Sequence, residues 1–313
     1  MSQSFLKRLP LSRFEVDRDY LARDRPGLLD ELRVDPAARV LPVFDGRALL
    51  KYEPGVGAEL ALLPFDEVPE STVLVYLGRT TTASATEPAG TPVIAAQLAD
   101  AGSLASRSWG NLRTVGTKLS DRDAGLLTEA LGILNWHLSH GFSPRTGEST
   151  LVEKGGWVRR DPVSNTEVFP RTDAAIIVGV TDADDRLLLG SNALWESNRF
   201  SLLAGFVEPG ESLEAAVIRE VFEESGVWVA DPVYLGSQPW PFPASLMLGF
   251  TARVDVDRTS TLTPDGAEIL ELRWFSRDEL RASRGDVILP GPTSIAHAII
   301  EEWLGEPIED DRW

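Results

Sequence analysis

The stretch that decides the reading is GFVEPGESLEAAVIREVFEESGV, residues 205–227. Gly205 and Pro209-Gly210 frame a tight loop of fixed shape. Ser212 is placed to cap a helix, Glu214 lies in its first turn, where the dipole favours negative charge, and Gly226 stands at the usual C-terminal stop. Within that helix Glu220, Glu223 and Glu224 are spaced i, i+3 and i+4, so they fall within a sector of about 100°. Ile218, Val221 and Phe222 take the other side, which can pack on a sheet. Three like charges on one short face repel. A divalent cation offsets that repulsion, and Arg219 can orient one of the carboxylates by a bidentate contact. A Glu cluster alone is usually a solvated acidic face. The loop with Gly at both ends, the upstream Glu211 and the adjacent Arg219 are harder to explain that way.

Further out, the residues predict a mixed α/β fold. Ala174–Thr181 reads as a buried strand, Asp182–Asp185 as a turn and Arg186–Gly190 as its return. Leu202–Gly205 is a short apolar segment, Val229–Leu235, Leu246–Val256 and Leu272–Phe275 are strand candidates, and helices are expected from Arg277 and over Thr293–Leu304. Strands and helices mix without regular βαβ alternation, which favours an α/β/α sandwich on a mixed sheet. Upstream, residues 38–44 and 47–52 flank Asp45-Gly46, a hairpin signal. Residues 71–79 and 91–98 follow as strands, and 120–140 has helical periodicity behind Ser120. This half holds no catalytic constellation and reads as a smaller mixed α/β accessory domain for dimerisation or substrate selection. The expected division is 1–140, a Gly/Ser/Thr/Pro-rich connector at 141–168, and 169–313. The closing EDDRW, 309–313, is read as a fraying end, and His137 and His140 as structural or exposed.

Composition narrows the chemistry. The 313 residues contain no cysteine and three histidines, so thiolate metal sites and disulfides are excluded, while 48 carboxylates suit hard cations. The net charge of −18 is uneven: residues 1–140 carry 15 basic and 18 acidic side chains, residues 141–313 carry 15 and 30. That excess argues against broad nucleic-acid binding, which needs cations to neutralise phosphates. No apolar run approaches a membrane span, and the N-terminus lacks a signal-peptide core, so the expectation is a cytoplasmic protein.

The 205–227 stretch resembles the Nudix box, G-x5-E-x7-R-E-U-x-E-E-x-G-U with U apolar. Gly205, Glu211, Arg219, Glu220, Val221, Glu223, Glu224, Gly226 and Val227 fill every fixed position. The resemblance implies the α/β/α Nudix sandwich and hydrolysis of a nucleoside diphosphate linked to another group, with Mg²⁺ or Mn²⁺. Downstream lies SQPWPFPAS, residues 237–245. Its prolines fix φ and remove donors, so the segment should be stiff and extended, with Trp240 and Phe242 forming a rigid slot for flat rings and Gln238 and Ser245 offering polar contacts at either end. Taken alone it would be a Pro-rich packing loop. After a Nudix box it is similar to the signature of the NADH pyrophosphatase branch, which implies that residues Gln238, Pro239, Trp240, Pro241, Phe242, Pro243, Ala244 and Ser245 bind substrate. That branch cleaves NADH or NAD⁺ to a nicotinamide mononucleotide and AMP, and bacterial members also remove NAD caps from RNA 5′ ends.

Other positions follow from the same resemblance. Glu268 matches a further metal carboxylate and the Ala204 carbonyl a backbone ligand, completing a metal set with Glu220, Glu223 and Glu224. Phe206 matches a ring-pocket aromatic, Ala296 a main-chain substrate contact, and Arg113 a phosphate- or ribose-contacting arginine; alone, Arg113 reads as a surface residue. Phe169 stands where the branch usually has Tyr, contributed across a homodimer interface. Glu223 and Glu224 are the candidates for the base, with Arg219 steadying it. The departure is in the connector: many relatives have a four-cysteine zinc ribbon where this chain has Ser143, Thr146, Asp161 and Ser164. The expectation is a metal-free hairpin packed around Trp157, without zinc. Competing readings are a hydrolase of ADP-ribose or diadenosine polyphosphates, against which the Pro-aromatic segment speaks, and a non-catalytic Nudix-fold dinucleotide sensor, which would be expected to lose box carboxylates.

Overall fold

The computed structural model describes residues 3–53, 57–283 and 285–308; the 309–313 tail lies outside them. By its contacts the chain forms two compact units, one of residues 1–12, 173–239 and 245–313, the other of 13–172 and 240–244.

The first unit is built on Asp173–Thr181, whose apolar run leaves no face for solvent. Alternate residues of a strand face opposite sides. Accordingly Ile176, Val178 and Val180 pack with Ala216, Val217 and Val221 of the box helix Leu213–Ser225. Ile177 packs with Ile295 and Ile299 of the last helix, Ile295–Leu304. The sheet is mixed, as expected: Asp173–Thr181 runs parallel to Ser245–Val254 over nine paired residues and antiparallel to Leu203–Phe206. The strand order is 229–240, 245–254, 173–181, 187–192, 269–275. One helix layer on each face makes the α/β/α sandwich. Val229–Trp240 extends further than the sequence suggests and takes in Ser237–Trp240, leaving only 241–244 as a turn before the next strand.

The second unit has a seven-stranded sheet in which Arg39–Phe44 and Arg47–Glu53 form the expected hairpin. Asp45 and Gly46 both have positive φ, 49° and 66°, the conformation a two-residue hairpin turn requires. The helix Asp121–Ser139 is capped by the Ser120 hydroxyl, which accepts from Asp123 N.

The connector belongs to this second unit and carries a three-stranded sheet of Leu151–Glu153, Val158–Arg160 and Glu167–Val168. Its centre is a carboxylate. Asp161, fully buried, accepts through Oδ2 from the hydroxyls of Ser143 (2.7 Å), Thr146 (2.8 Å) and Ser164 (2.7 Å). Through Oδ1 it accepts from the amides of Val163 and Ser164, at 2.8 and 3.1 Å. These donors, the Ser143 hydroxyl foremost, hold its carboxyl well below the usual range. Three hydroxyls directed at one carboxylate do not fit a zinc ion, which needs several strong donors directed at itself. Trp157 donates its ring N–H to Tyr76 O at 2.8 Å and lies 3.6 Å under the Arg23 guanidinium. His137 is buried, its Nε2 2.7 Å from Gly156 O and its Nδ1 2.9 Å from Arg159.

Candidate active site

The box loop and helix fit together through a glycine and an arginine. Gly205 pairs with Ile176 in the sheet, directly against the box helix. A Cβ built on Gly205 would lie 2.0 Å from Glu220 Cδ, so only glycine lets this carboxylate approach the strand. Gly210 turns the loop at φ 90°, and the Ser212 hydroxyl accepts from Ala215 N to start the helix. Gly226 ends it at φ 68°, donating to Phe222 O at 2.7 Å.

Arg219 gathers the acidic groups. Its Nε and Nη2 donate to the two oxygens of Glu211, both at 2.8 Å, and Nη2 also reaches Phe206 O at 3.0 Å. Nη1 donates to Glu220 Oε1 and Glu223 Oε2, both at 2.9 Å. The fork contact thus falls on Glu211, while Glu220 and Glu223 each take a single bond. The arginine holds the Glu211 carboxyl below its ordinary range, and the acidic partners, Glu211 foremost, raise the arginine's own pKa.

Glu224 is different. It is 5 % exposed, and its Oε2 has no hydrogen-bond partner. Burial, then the charges of Glu220, Glu268 and Asp265, push its pKa up to about 8. Burial raises Glu220 too, against the pull of Arg219. Glu268 hangs on a loop organised by Asp265, whose Oδ1 accepts from the amides of Ala267, Glu268 and Ile269 at 2.9, 3.0 and 2.9 Å. Asn192 Nδ2 donates to Glu268 Oε1 at 3.3 Å. Among the described residues no three carboxylates or histidines already close around a point. The set nevertheless fits a hard cation: an unpartnered buried carboxylate oxygen surrounded by like charges gains most from one. Asp265 and Asn192, the organisers of Glu268, are not evident from a motif in the sequence. The Asp265-Gly266 turn signal was the only sign of the first.

The remaining expected residues divide between the units. In the first, Ala204 lies in the central sheet opposite Ile177, and Phe206, 58 % exposed, ends the same strand. Gln238 is fully buried: its oxygen accepts from Leu11 N at 3.4 Å and its nitrogen donates to Thr293 O at 3.0 Å. Its side chain therefore ties backbone segments together and does not project as a polar contact. Ser245 opens the strand parallel to Asp173–Thr181. Ala296 is buried in the first turn of the last helix, its amide donating to Ser294 Oγ at 3.2 Å. In the second unit lie Arg113, the 60 % exposed Phe169, and Trp240–Ala244. The Trp240 and Phe242 rings meet edge to face, centroids 5.0 Å apart at 71°. That spacing leaves no room for a third ring between them, so the pair forms a one-sided ledge and not a two-walled slot.

A family profile described as "NUDIX domain" matches residues 170–297. A second, "NADH pyrophosphatase-like rudimentary NUDIX domain", matches 37–136. The helix of that region lacks the run of glutamates, which is why its residues alone suggest only an accessory domain. The chain is 42% identical over 308 residues to a protein named NAD-capped RNA hydrolase NudC from Mycobacterium bovis, covering 93% of this chain and 90% of that one. A human protein named NAD-capped RNA hydrolase NUDT12 is 36% identical over 202 residues, covering 60% of this chain and 43% of that one. With a complete box on the expected sandwich, a rudimentary NUDIX unit before it and a relative matched almost end to end, the chain belongs to the Nudix hydrolases, in their NADH pyrophosphatase branch.

Proposed function

We propose that this protein hydrolyses the pyrophosphate bond of NADH or NAD⁺ to nicotinamide mononucleotide and AMP, and that the same chemistry removes NAD caps from RNA 5′ ends. The observation that carries this is the unpartnered, buried Glu224 oxygen at the centre of a complete box. The names of the relatives matched over most of the chain support the substrate.

In this reading the Ala204 carbonyl, Glu220, Glu223, Glu224 and Glu268 hold Mg²⁺ or Mn²⁺. When bound, the metal neutralises phosphate charge and acidifies water. Glu224, in its ionised form, accepts the proton of the attacking water through Oε2, which no donor occupies. Water adds to phosphorus, the bridging P–O bond breaks, and a mononucleotide leaves. Arg219 keeps Glu220 and Glu223 in place through one guanidinium nitrogen while its fork on Glu211 fixes the loop. Glu223, more than half exposed and tied to Arg219, is the weaker candidate for the base. Trp240 and Phe242 offer the stacking ledge for a flat ring.

Dimerisation belongs to the same reading: an aromatic as exposed as Phe169 is suited to burial by a second copy. Light scattering should give twice the 34.2 kDa chain mass. No helix among the described residues is long and apolar enough to cross a membrane. A cytoplasmic location fits substrates found there.

The test is one assay comparing NADH, NAD⁺, ADP-ribose, diadenosine polyphosphates and NAD-capped RNA, each with Mg²⁺, Mn²⁺ or EDTA. AMP release from NADH that EDTA abolishes is expected. A protein that binds NADH but releases no AMP with either metal is a sensor, and faster cleavage of ADP-ribose or diadenosine polyphosphates moves the substrate there.

A further inference from the structure

The turn Trp240–Ala244 has few means of holding itself. Pro241 and Pro243 have no N–H to donate, and the backbone bond within the turn runs from Phe242 N to Trp240 O at 2.7 Å. The carbonyls of both prolines are satisfied from elsewhere in the same unit. Asn135, on the helix Asp121–Ser139, donates through Nδ2 to Pro241 O at 2.9 Å and to Pro243 O at 3.0 Å. Its two amide protons are thereby placed on the carbonyls either side of Phe242. Pro241 is buried over the same helix face: a Cβ built on Gly132, three residues before Asn135, would lie 4.0 Å from Pro241 Cβ. Arg113 backs the rings, its guanidinium 4.0 Å from the Phe242 centroid and 5.0 Å from that of Trp240. It sits in the first turn of the short helix Leu112–Val115, where Asn111 Oδ1 accepts from its amide at 2.9 Å.

We propose that Asn135 is a positioning residue for substrate, holding the Trp240–Phe242 ledge in the orientation that receives the flat ring of a dinucleotide, with Arg113 as the ledge's cation–π support. The inference rests on the dinucleotide reading above and adds to it a residue that orients the ring-binding segment. The chemistry requires a carboxamide. Aspartate at 135 would set carboxylate oxygens against two carbonyl oxygens, a repulsive arrangement of the same shape. Alanine would leave both carbonyls to water, and glutamine would overreach by one methylene.

The test is steady-state NADH hydrolysis by wild type, Asn135→Ala and Asn135→Asp, with thermal melts of each. Loss of two bonds that orient the ledge should raise KM about 10-fold in Asn135→Ala and further in Asn135→Asp. In Asn135→Ala, kcat should stay within about 3-fold and Tm within about 2 °C of wild type, which distinguishes binding from general damage. An active wild type with KM unchanged in both variants overturns the proposal, as does a kcat loss with lowered Tm and unchanged KM, the signature of a merely structural asparagine. A wild type that releases no AMP from NADH refutes the substrate reading itself, and this inference falls with it.

Discussion

Glu224 and Arg219 show how much one side chain's surroundings decide. Both stand in the same thirteen-residue helix, five positions apart, with Glu214, Glu220 and Glu223 as its other charged side chains. Arg219 faces four acceptor groups, and Glu224 Oε2 faces none. Glu224→Gln replaces a buried acid whose ionisation its neighbours already oppose with a neutral group of the same shape, so Tm should hold or rise. The same change removes the proposed proton acceptor, and kcat should fall by about 10²–10⁴-fold. Near-normal turnover in Glu224→Gln would reject the proposed role. Arg219→Lys keeps the charge but lacks the fork, and a point charge cannot serve Glu211 and the helix carboxylates together. Its kcat/KM should drop by more than about 10-fold while the fold survives in circular dichroism.

At the scale of elements, the site depends on a strand and a helix touching. Gly205 is where they touch, since any Cβ there meets the Glu220 carboxyl. Gly205→Ala must push the box helix or the carboxylate aside. Overpacking of this kind costs about 1–3 kcal/mol, and activity should fall about 100-fold or more, because a small misplacement of reacting groups costs that much. A melt and an NADH assay on that variant check both. Asp161 does for the connector what Arg219 does for the box, drawing three hydroxyls and two amides onto one group. Asp161→Asn puts an NH₂ among donors and should lower Tm by more than about 5 °C. Elemental analysis should find no stoichiometric zinc; one zinc per chain would overturn the carboxylate-centred account.

For the whole molecule, the stability profile with pH is set by groups that oppose one another. Burial pushes Glu129 up to about 7 and His137 down to about 4. On acidification between their values, the folded state gains a proton at Glu129 while the unfolded chain gains one at His137. The first favours the fold and the second disfavours it, so the two largely cancel. Asp161 then shapes the acid limb together with Glu211 and Asp265, whose carboxyls are likewise held low. Its folded value lies below its unfolded one, so its contribution is full above the ordinary Asp range and lost as pH falls beneath it. Tm should therefore decline steeply below about pH 4, and the gap between wild type and Asp161→Asn should shrink over the same range. A gap that stays constant with pH would assign the knot's stability to packing.

Local patterns were legible from residues alone. The run 174–180, the Ser212 and Ser120 caps, the Gly226 stop and the Asp45-Gly46 turn each depend on neighbours a few positions away, and the structure forms each of them. The box motif is equally local, since Glu220, Glu223 and Glu224 share one helix and Glu211 lies on the loop that leads into it. What a linear reading could not reach are contacts between residues remote in sequence. Gln238 promised a polar contact but is enclosed by Leu11 and Thr293. Trp240 and Phe242 close on each other and not around a guest. Asn135 meets the proline carbonyls 106 and 108 positions away. The sequence determined which backbone segments would form and where the box carboxylates lie, because helix and strand periodicity and box spacing are short-range. Only the tertiary structure decided which side chains remain available to a ligand, because burial and hydrogen-bond partners are properties of the packed chain.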